Sequence, residues 1–291
     1  MKVAVLTDSG SAITQAQAKE LGVTVIPMPY MIDGNEYEEG INLGREQFYE
    51  LLEAGSSIST SQPSPEKILS VWDETLKTHD QIVYIPLSSG LSSSYQTAVM
   101  LAEDYEGRVE VVDNQRISVT QRQSVLDAKY LTDVGWDARR IRELLERTRL
   151  ESSIYITVDT LKYLKNGGRI TPAAAALGTL LRIKPVLQIQ GEKLDSYSKT
   201  RTMKQAKSIM TAAIERDLKT RFDDPEAERC WLAVVHTENE TLAREYAAEL
   251  RAAYPRTGEI YIDQLSLNIA CHIGPGCLAV ACTKCLEEVK G

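Results

Sequence analysis

Apolar and polar positions alternate along this chain in two periods. "KVAVLT", "QIVYI" and "RVEVV" are short apolar runs bounded by turn residues, the pattern of strands buried on both faces. Between them, "TQAQAKELG", "REQFYELLEAG", "SPEKILSVWDETLKT" and "YQTAVMLAEDY" carry the spacing of amphipathic helices, the first ended by Gly22. "VTVIPMPYMI" reads as extended and broken by its prolines. This alternation predicts a mostly parallel sheet with helices on its faces. After the amphipathic helix "DARRIRELLERTRL" the character changes. "SSIYITV" is a strand, and "LKYLKNGGRITPAAAALGTLLRI" is small-residue helix broken at Gly-Gly. "PVLQIQ-GEK-LDSYSKTR" is a hairpin whose turn carries Gly191. Helix "TMKQAKSIMTAAIERDLKT", strand "CWLAVVH", helix "ENETLAREYAAELRAAY" and strand "GEIYIDQL" complete a second α/β unit. The expectation is two α/β domains, 1–152 and 153–291, with a small ligand in the crevice between them.

Composition narrows the function classes. The chain has 291 residues, enough for two cores, with 43% hydrophobic and 25% charged residues and a net charge of −8. An acidic chain is a poor partner for nucleic acid or an anionic membrane surface. No apolar run approaches the ~18 residues of a membrane span, and "MKVAVLTDSG" is too short in apolar residues for a signal peptide. A cytoplasmic protein without stable membrane insertion is expected. Five cysteines, four of them between Cys271 and Cys285, do not make a disulfide framework. The "CTKC" of Cys282 and Cys285 has metal-ligand spacing but no second pair, so no metal and no cofactor is expected.

Candidate chemistry lies in the strand-to-helix turns. "PLSSGLSSSY", 86–95, crowds five serines and a glycine between a strand and a helix. The carboxyl end of a strand and the unpaired N–H groups of a helix start suit a small anion. "SISTSQPSPEKI" repeats the device with Thr60, Ser61 and Ser64 ahead of a helix opened by Pro65. Capping accounts for one hydroxyl per helix, not for two such clusters. "VLTDSGSAIT" holds Asp8, Ser9 and Ser11. A haloacid-type phosphoryl acceptor needs a second Asp where Gly10 stands, so Asp8 reads as a cap or turn residue. In "KNGGRITP", Arg169 could pair with a carboxylate or phosphate or be a solvated charge. In "NIACHIGPGC", His272 follows a strand-like run and precedes the Gly274-Pro-Gly276 turn; His236 reads as structural. Residues 182–207 carry seven Lys or Arg against two acids, a local reversal that could meet a phosphate or an acidic partner. In "PAAAALGTLLRI", Leu177, Leu180, Leu181 and Ile183 would line core or a ligand chamber.

In their order, "TDSGS", "TSQPSP", "PLSSGLSSSYQTA", "VVDN", "LKNGGRI", "KPVLQI", "TRTMKQA" and "HIGPGCLAV" resemble the DegV family, which includes the fatty-acid-binding (FakB-like) subunits of bacterial fatty acid kinase. The resemblance implies two α/β domains with a fatty-acid tunnel between them. It assigns the carboxylate to Thr60, Ser92, Arg169 and His272, with Ser61, Ser93 and Gly274 beside the headgroup. It implies that a separate ATP-dependent fatty acid kinase phosphorylates the carboxylate and that the acyl phosphate goes to phospholipid synthesis. Arg201 is the candidate for kinase or phosphate contact. This chain has no P-loop and no G-x-G-x-x-G, so it would be a substrate carrier and not the enzyme. It departs from the family at Ser93-Ser94, usually Gly-Thr, and in "QRISVTQRQSVLDA", where Gln121, Arg122 and Gln123 replace small or apolar residues. If that segment lines the tunnel, the tunnel is shorter or more polar. Two other readings stand beside this one: a binding module for a small phosphorylated metabolite, and a serine hydrolase using Ser92 with His272, which lacks the G-x-S-x-G elbow.

Overall fold

A computed structural model describes residues 1–177, 183–191 and 193–289. The chain divides into two compact units. Against an expected division at 152, the units part at Leu150 and Glu151, and Ser266–Asn268 and Leu286–Val289 pack with the first unit.

The first unit contains β1 (Val3–Asp8), α1 (Gln15–Leu21), β2 (Thr24–Ile26), β3 (Tyr30–Ile32), β4 (Asn35–Tyr37), α2 (Arg45–Ala54), β5 (Ile58–Thr60), α3 (Pro65–Leu76), β6 (Gln81–Ile85), α4 (Ser94–Ala102), β7 (Val109–Val111), α5 (Ser118–Asp133) and α6 (Ala138–Arg147). Its main sheet has the order β2-β1-β6-β7, all parallel, and a small antiparallel sheet has the order β4-β3-β5. Burial on both faces explains the uninterrupted apolar runs. Ala4, Leu6, Ile82 and Tyr84 meet Ile68, Trp72 and Ala98 of α3 and α4 on one face. Val5, Val83 and Ile85 meet Val125, Ala128, Leu131, Ile141 and Leu144 of α5 and α6 on the other.

The helix boundaries follow local chemistry. Thr14 and Gln17 form a capping box at the start of α1, and Gly22 ends it in the left-handed region at φ 67°. Ser64 caps α3, with Pro65 in its first turn.

The second unit contains β8 (Ser152–Thr157), α7 (Lys162–Gly167), α8 (Pro172–Leu177), β9 (Lys184–Ile189), β10 (Asp195–Thr200), α9 (Met203–Thr220), β11 (Cys230–His236), α10 (Glu240–Ala253), β12 (Tyr261–Gln264) and β13 (Leu278–Lys284). A helix α11, Leu267–Ile273, precedes β13. The sheet is mixed, in the order β10-β9-β8-β13-β11-β12. The expected hairpin is β9 and β10, antiparallel, although Glu192 of its turn lies outside the described residues. The Gly-Gly pair ends α7: Gly167 is its last residue and Gly168 its C-cap at φ 66°. Leu180, Leu181 and Arg182 also lie outside the described residues. α9 and α10 cover one sheet face, where Met210, Ile214, Leu218, Tyr246 and Leu250 meet Tyr155, Val186, Leu232, Val234 and Val280.

One expectation is corrected. The run before His272 is helix α11, not strand, and His272 sits in its last turn. Three apolar residues in a row, Ile269 to Cys271, have no period to read, so a buried helix turn and a buried strand look alike.

Candidate functional site

In the first unit, the serine-rich turn leaves the carboxyl end of β6. Ser88 organises it: its carbonyl accepts the N–H groups of Leu91 (3.0 Å) and Ser92 (3.1 Å), and its Oγ accepts that of Gly90 (3.3 Å). The Ser92 hydroxyl lies 2.8 Å from Ser94 Oγ and accepts the Ser94 N–H at 3.2 Å. Ser92 thus caps the first turn of α4, whereas Ser93 at the N-cap position makes no side-chain capping bond and is exposed. Thr60, half-buried, ends β5 and pairs in register with Tyr30; Ser61 is exposed. The structure ties the Thr60 and Ser92 segments together, because Gln62 Nε2 donates to Thr97 Oγ1 (2.8 Å) and Thr97 Oγ1 donates to Gln62 Oε1 (3.2 Å). The first unit therefore offers half-buried hydroxyls next to the start of a helix, where a carboxylate or phosphate can accept hydrogen bonds.

In the second unit, the two glycine motifs fit each other. A methyl at Gly167 would overlap Nδ1 of His272, and a methyl at Gly274 would overlap the Tyr163 ring. At Gly276 it would come within 2.6 Å of Asp159 Oδ2. Hydrogen at these Cα atoms lets α7 and the Gly274–Gly276 turn close on one another, which sets His272 beside the Gly167–Arg169 segment. Arg169 donates to the Gly167 carbonyl. Burial, and then the charge of Arg169, depress His272 to about 4, so the imidazole is neutral at neutral pH. A guanidinium beside a neutral imidazole presents one fixed positive charge and a further N–H donor, which suits a single carboxylate. Cys271, the adjoining residue, is pushed up to about 12 by burial and stays an inert thiol.

Because His272 binds its proton less readily folded than unfolded, stability falls as pH drops below about 6.5. Between pH 7 and pH 5 the loss expected from this residue is about 2 kcal/mol. Urea unfolding at the two pH values checks this. A His272→Gln variant should lack that increment, and an unchanged pH dependence in it would refute the assignment.

Other candidates resolve simply. Asp8 is a cap: its Oδ1 accepts the Gly10 N–H at 3.0 Å. His236 is buried, and its Nδ1 accepts the Asn239 N–H at 3.2 Å. Within the basic stretch, Lys184 pairs with Asp159 and Lys207 with Glu249, while Lys193, Lys199, Arg201 and Lys204 are exposed. Gln121 is fully buried, and its Nε2 donates to Thr7 Oγ1 (3.1 Å), Asp8 Oδ1 (3.2 Å) and the Ile85 carbonyl (3.1 Å). Arg116, also buried, reaches the last carbonyls after α6 at Thr148 (2.8 Å) and Arg149 (3.3 Å). Sequence reasoning missed Tyr163 and the match of Gly167 to His272. The paired glycines were the signal, but their partners lie about a hundred residues away.

Among the described residues no helix is long and apolar enough to cross a membrane. A curated relative, a DegV domain-containing protein of Deinococcus radiodurans, is 32% identical over 283 residues, covering 97% of this chain and 98% of the relative. Two solved structures are similar throughout. One is of a DegV family protein from Thermus thermophilus, described as fatty-acid-binding: 30% identity, TM-score 0.89, 98% of this chain and 100% of that one. The other is DegV of Bacillus subtilis, described as a fatty acid binding protein: 28% identity, TM-score 0.85, 98% and 99% covered. The model of the family described as "Uncharacterised protein, DegV family" matches residues 2–284, and with these likenesses it places the chain in the DegV family.

Proposed function

We propose that this chain binds a long-chain fatty acid and presents its carboxylate to a separate ATP-dependent kinase, as a carrier whose acyl phosphate enters phospholipid synthesis. The observation that carries the binding is the likeness, over 98% of the chain, to a DegV family protein described as fatty-acid-binding. The local chemistry agrees with it. Thr60 and Ser92 supply hydroxyls, with Ser61 and Ser93 exposed beside them, and Arg169 supplies charge next to a neutral His272. Hydroxyls and N–H groups hold a carboxylate without a fully buried ion pair. The tail dominates affinity: about sixteen methylenes at ~0.8 kcal/mol each give an upper bound of roughly 13 kcal/mol. The kinase reading rests on the family resemblance and on a chain without a P-loop; exposed Arg201, with Lys199 and Lys204, is the candidate contact.

Mass spectrometry of the purified protein, native and after organic extraction, tests the binding. One fatty acid per chain is expected, and Ser92→Ala should weaken binding about tenfold, the worth of one hydrogen bond to a charged group. An empty protein that shows no thermal shift with saturated or unsaturated fatty acids would refute the proposal. Tight binding of a phosphorylated metabolite would then favour the small-phosphate module. Turnover of an acyl ester, lost in Ser92→Ala, would favour the hydrolase.

A further inference from the structure

We infer that Asp8 positions the serine-rich turn, and through it Ser92, by an acceptor-only contact with the turn's first N–H. Three donors converge on this carboxyl: Gly10 N–H (3.0 Å) and Gln121 Nε2 (3.2 Å) on Oδ1, and Leu87 N–H (2.7 Å) on Oδ2. Leu87 opens the turn directly after Pro86, and the Asp8 bond is the shortest of the three. From there the bonds run in sequence. The Ser88 N–H donates to the Arg116 carbonyl at 3.0 Å, and the Ser88 carbonyl accepts the Ser92 N–H. The turn is thus pinned at two adjacent residues, on one side by a side chain of β1 and on the other by the backbone after β7.

The side-chain type matters more than its size. A group facing three donors must offer only acceptors, and an ionised carboxylate does so. Asparagine has nearly the same shape but would turn an NH₂ toward one of the three N–H groups. Gln121 ties the arrangement to the rest of the sheet. Its Nε2 joins Asp8 to the ends of both central strands, at Thr7 and Ile85. Asp8, Gln121 and Thr7 are at most 1% exposed, so no water competes for these bonds. Burial pushes Asp8 up to about 6, against its hydrogen bonds with Leu87, Gln121 and Gly10, and Tyr84 is the titratable group that its charge reaches. Above that pH the carboxylate form holds the turn.

This inference deepens the fatty-acid reading and rests on it only for the ligand. Its test has a readout that needs no ligand: amide hydrogen exchange at Leu87 and Ser92, measured at pH 7.5 in wild type, Asp8→Asn and Gln121→Leu. Exchange at Val5 and Val83 in the core serves as reference. Asp8→Asn should speed exchange at Leu87 at least tenfold with the core amides unchanged, and should weaken binding of palmitate and oleate about tenfold. Gln121→Leu, which frees the Asp8 carboxyl without removing it, should give a smaller change of the same kind. Unchanged protection at Leu87, or a rise shared equally by the core amides, would overturn the inference. So would a loosened turn with undiminished affinity in a protein whose wild type binds fatty acid. A wild type that binds neither acid refutes the ligand reading alone, and local loosening at Leu87 in Asp8→Asn still upholds Asp8's hold on the turn.

Discussion

Asp217→Ala is expected to lose about 3–5 kcal/mol of stability, the largest single effect we predict. Asp217 lies on α9 with no solvent exposure and receives hydrogen bonds from Ser153 Oγ (2.6 Å), Tyr155 OH (2.6 Å), Arg216 (3.1 Å) and Arg221 (3.2 Å). Gln190 approaches at 3.4 Å. Burial by itself would push this carboxyl up. The bonds from Ser153, Tyr155 and Arg216 and the Arg221 charge outweigh burial and hold it below the ordinary range. Removing it leaves the Arg221 charge and two hydroxyls without their shared acceptor, under the strands β8 and β9. Arg216 is half exposed and adds little, because water screens its pairing. The sign for pH follows from the depressed value. Asp217 stabilises the protein above the unfolded carboxyl range near 3.8 and ceases to as pH falls through its lower folded value. Urea unfolding of the variant at pH 7 decides it, and a loss below about 1 kcal/mol would show that the network is not a pairing of consequence.

Gly274→Ala should cost about 2–4 kcal/mol and loosen the candidate headgroup residues as well. Gly274 has φ 79°, where an L-residue is strained by about 1 kcal/mol, and the new methyl overlaps the Tyr163 ring. The backbone has little room to yield. Its N–H bonds the Ala270 carbonyl at 2.7 Å, and its carbonyl accepts Thr237 Oγ1 at 2.6 Å. His272 is two residues upstream, so a displaced turn moves the imidazole relative to Gly167. Gly34→Ala is the control: φ is 83°, but nothing lies within 4 Å of the added carbon, so only the strain of about 1 kcal/mol is expected. Thermal unfolding and fatty-acid titration of both variants make the comparison. Equal losses would mean that the Tyr163 contact carries no cost.

These cases show how the two levels of description divide. The strand–helix alternation of the first unit is legible because burial on both sheet faces makes each strand an apolar run and each helix a striped one. The capping of α1 and α3 is legible because its partners lie within three residues of each other. The serine turn was visible as a cluster of hydroxyls suited to a small anion. What holds the turn in place, the bond from the Leu87 N–H to Asp8, spans 79 positions, and no local pattern reports it. Gln121 was visible only as one of three polar residues, with Arg122 and Gln123, that depart from the resemblance, and only the folded chain turns it into the donor that joins β1 to β6.

The helix α11 was misread because a few apolar residues carry no phase, and packing decides what period alone cannot. The same holds for the second unit's strand order and for the return of Ser266–Asn268 to the first unit. Local sequence determined where this protein is regular and where its chemistry-bearing turns fall, since periodicity, caps and turn residues act within a few positions. Tertiary structure alone decided which turns meet, which glycine admits which side chain and which carboxyl keeps its charge. Those outcomes depend on contacts between residues far apart in the chain and on the solvent they exclude.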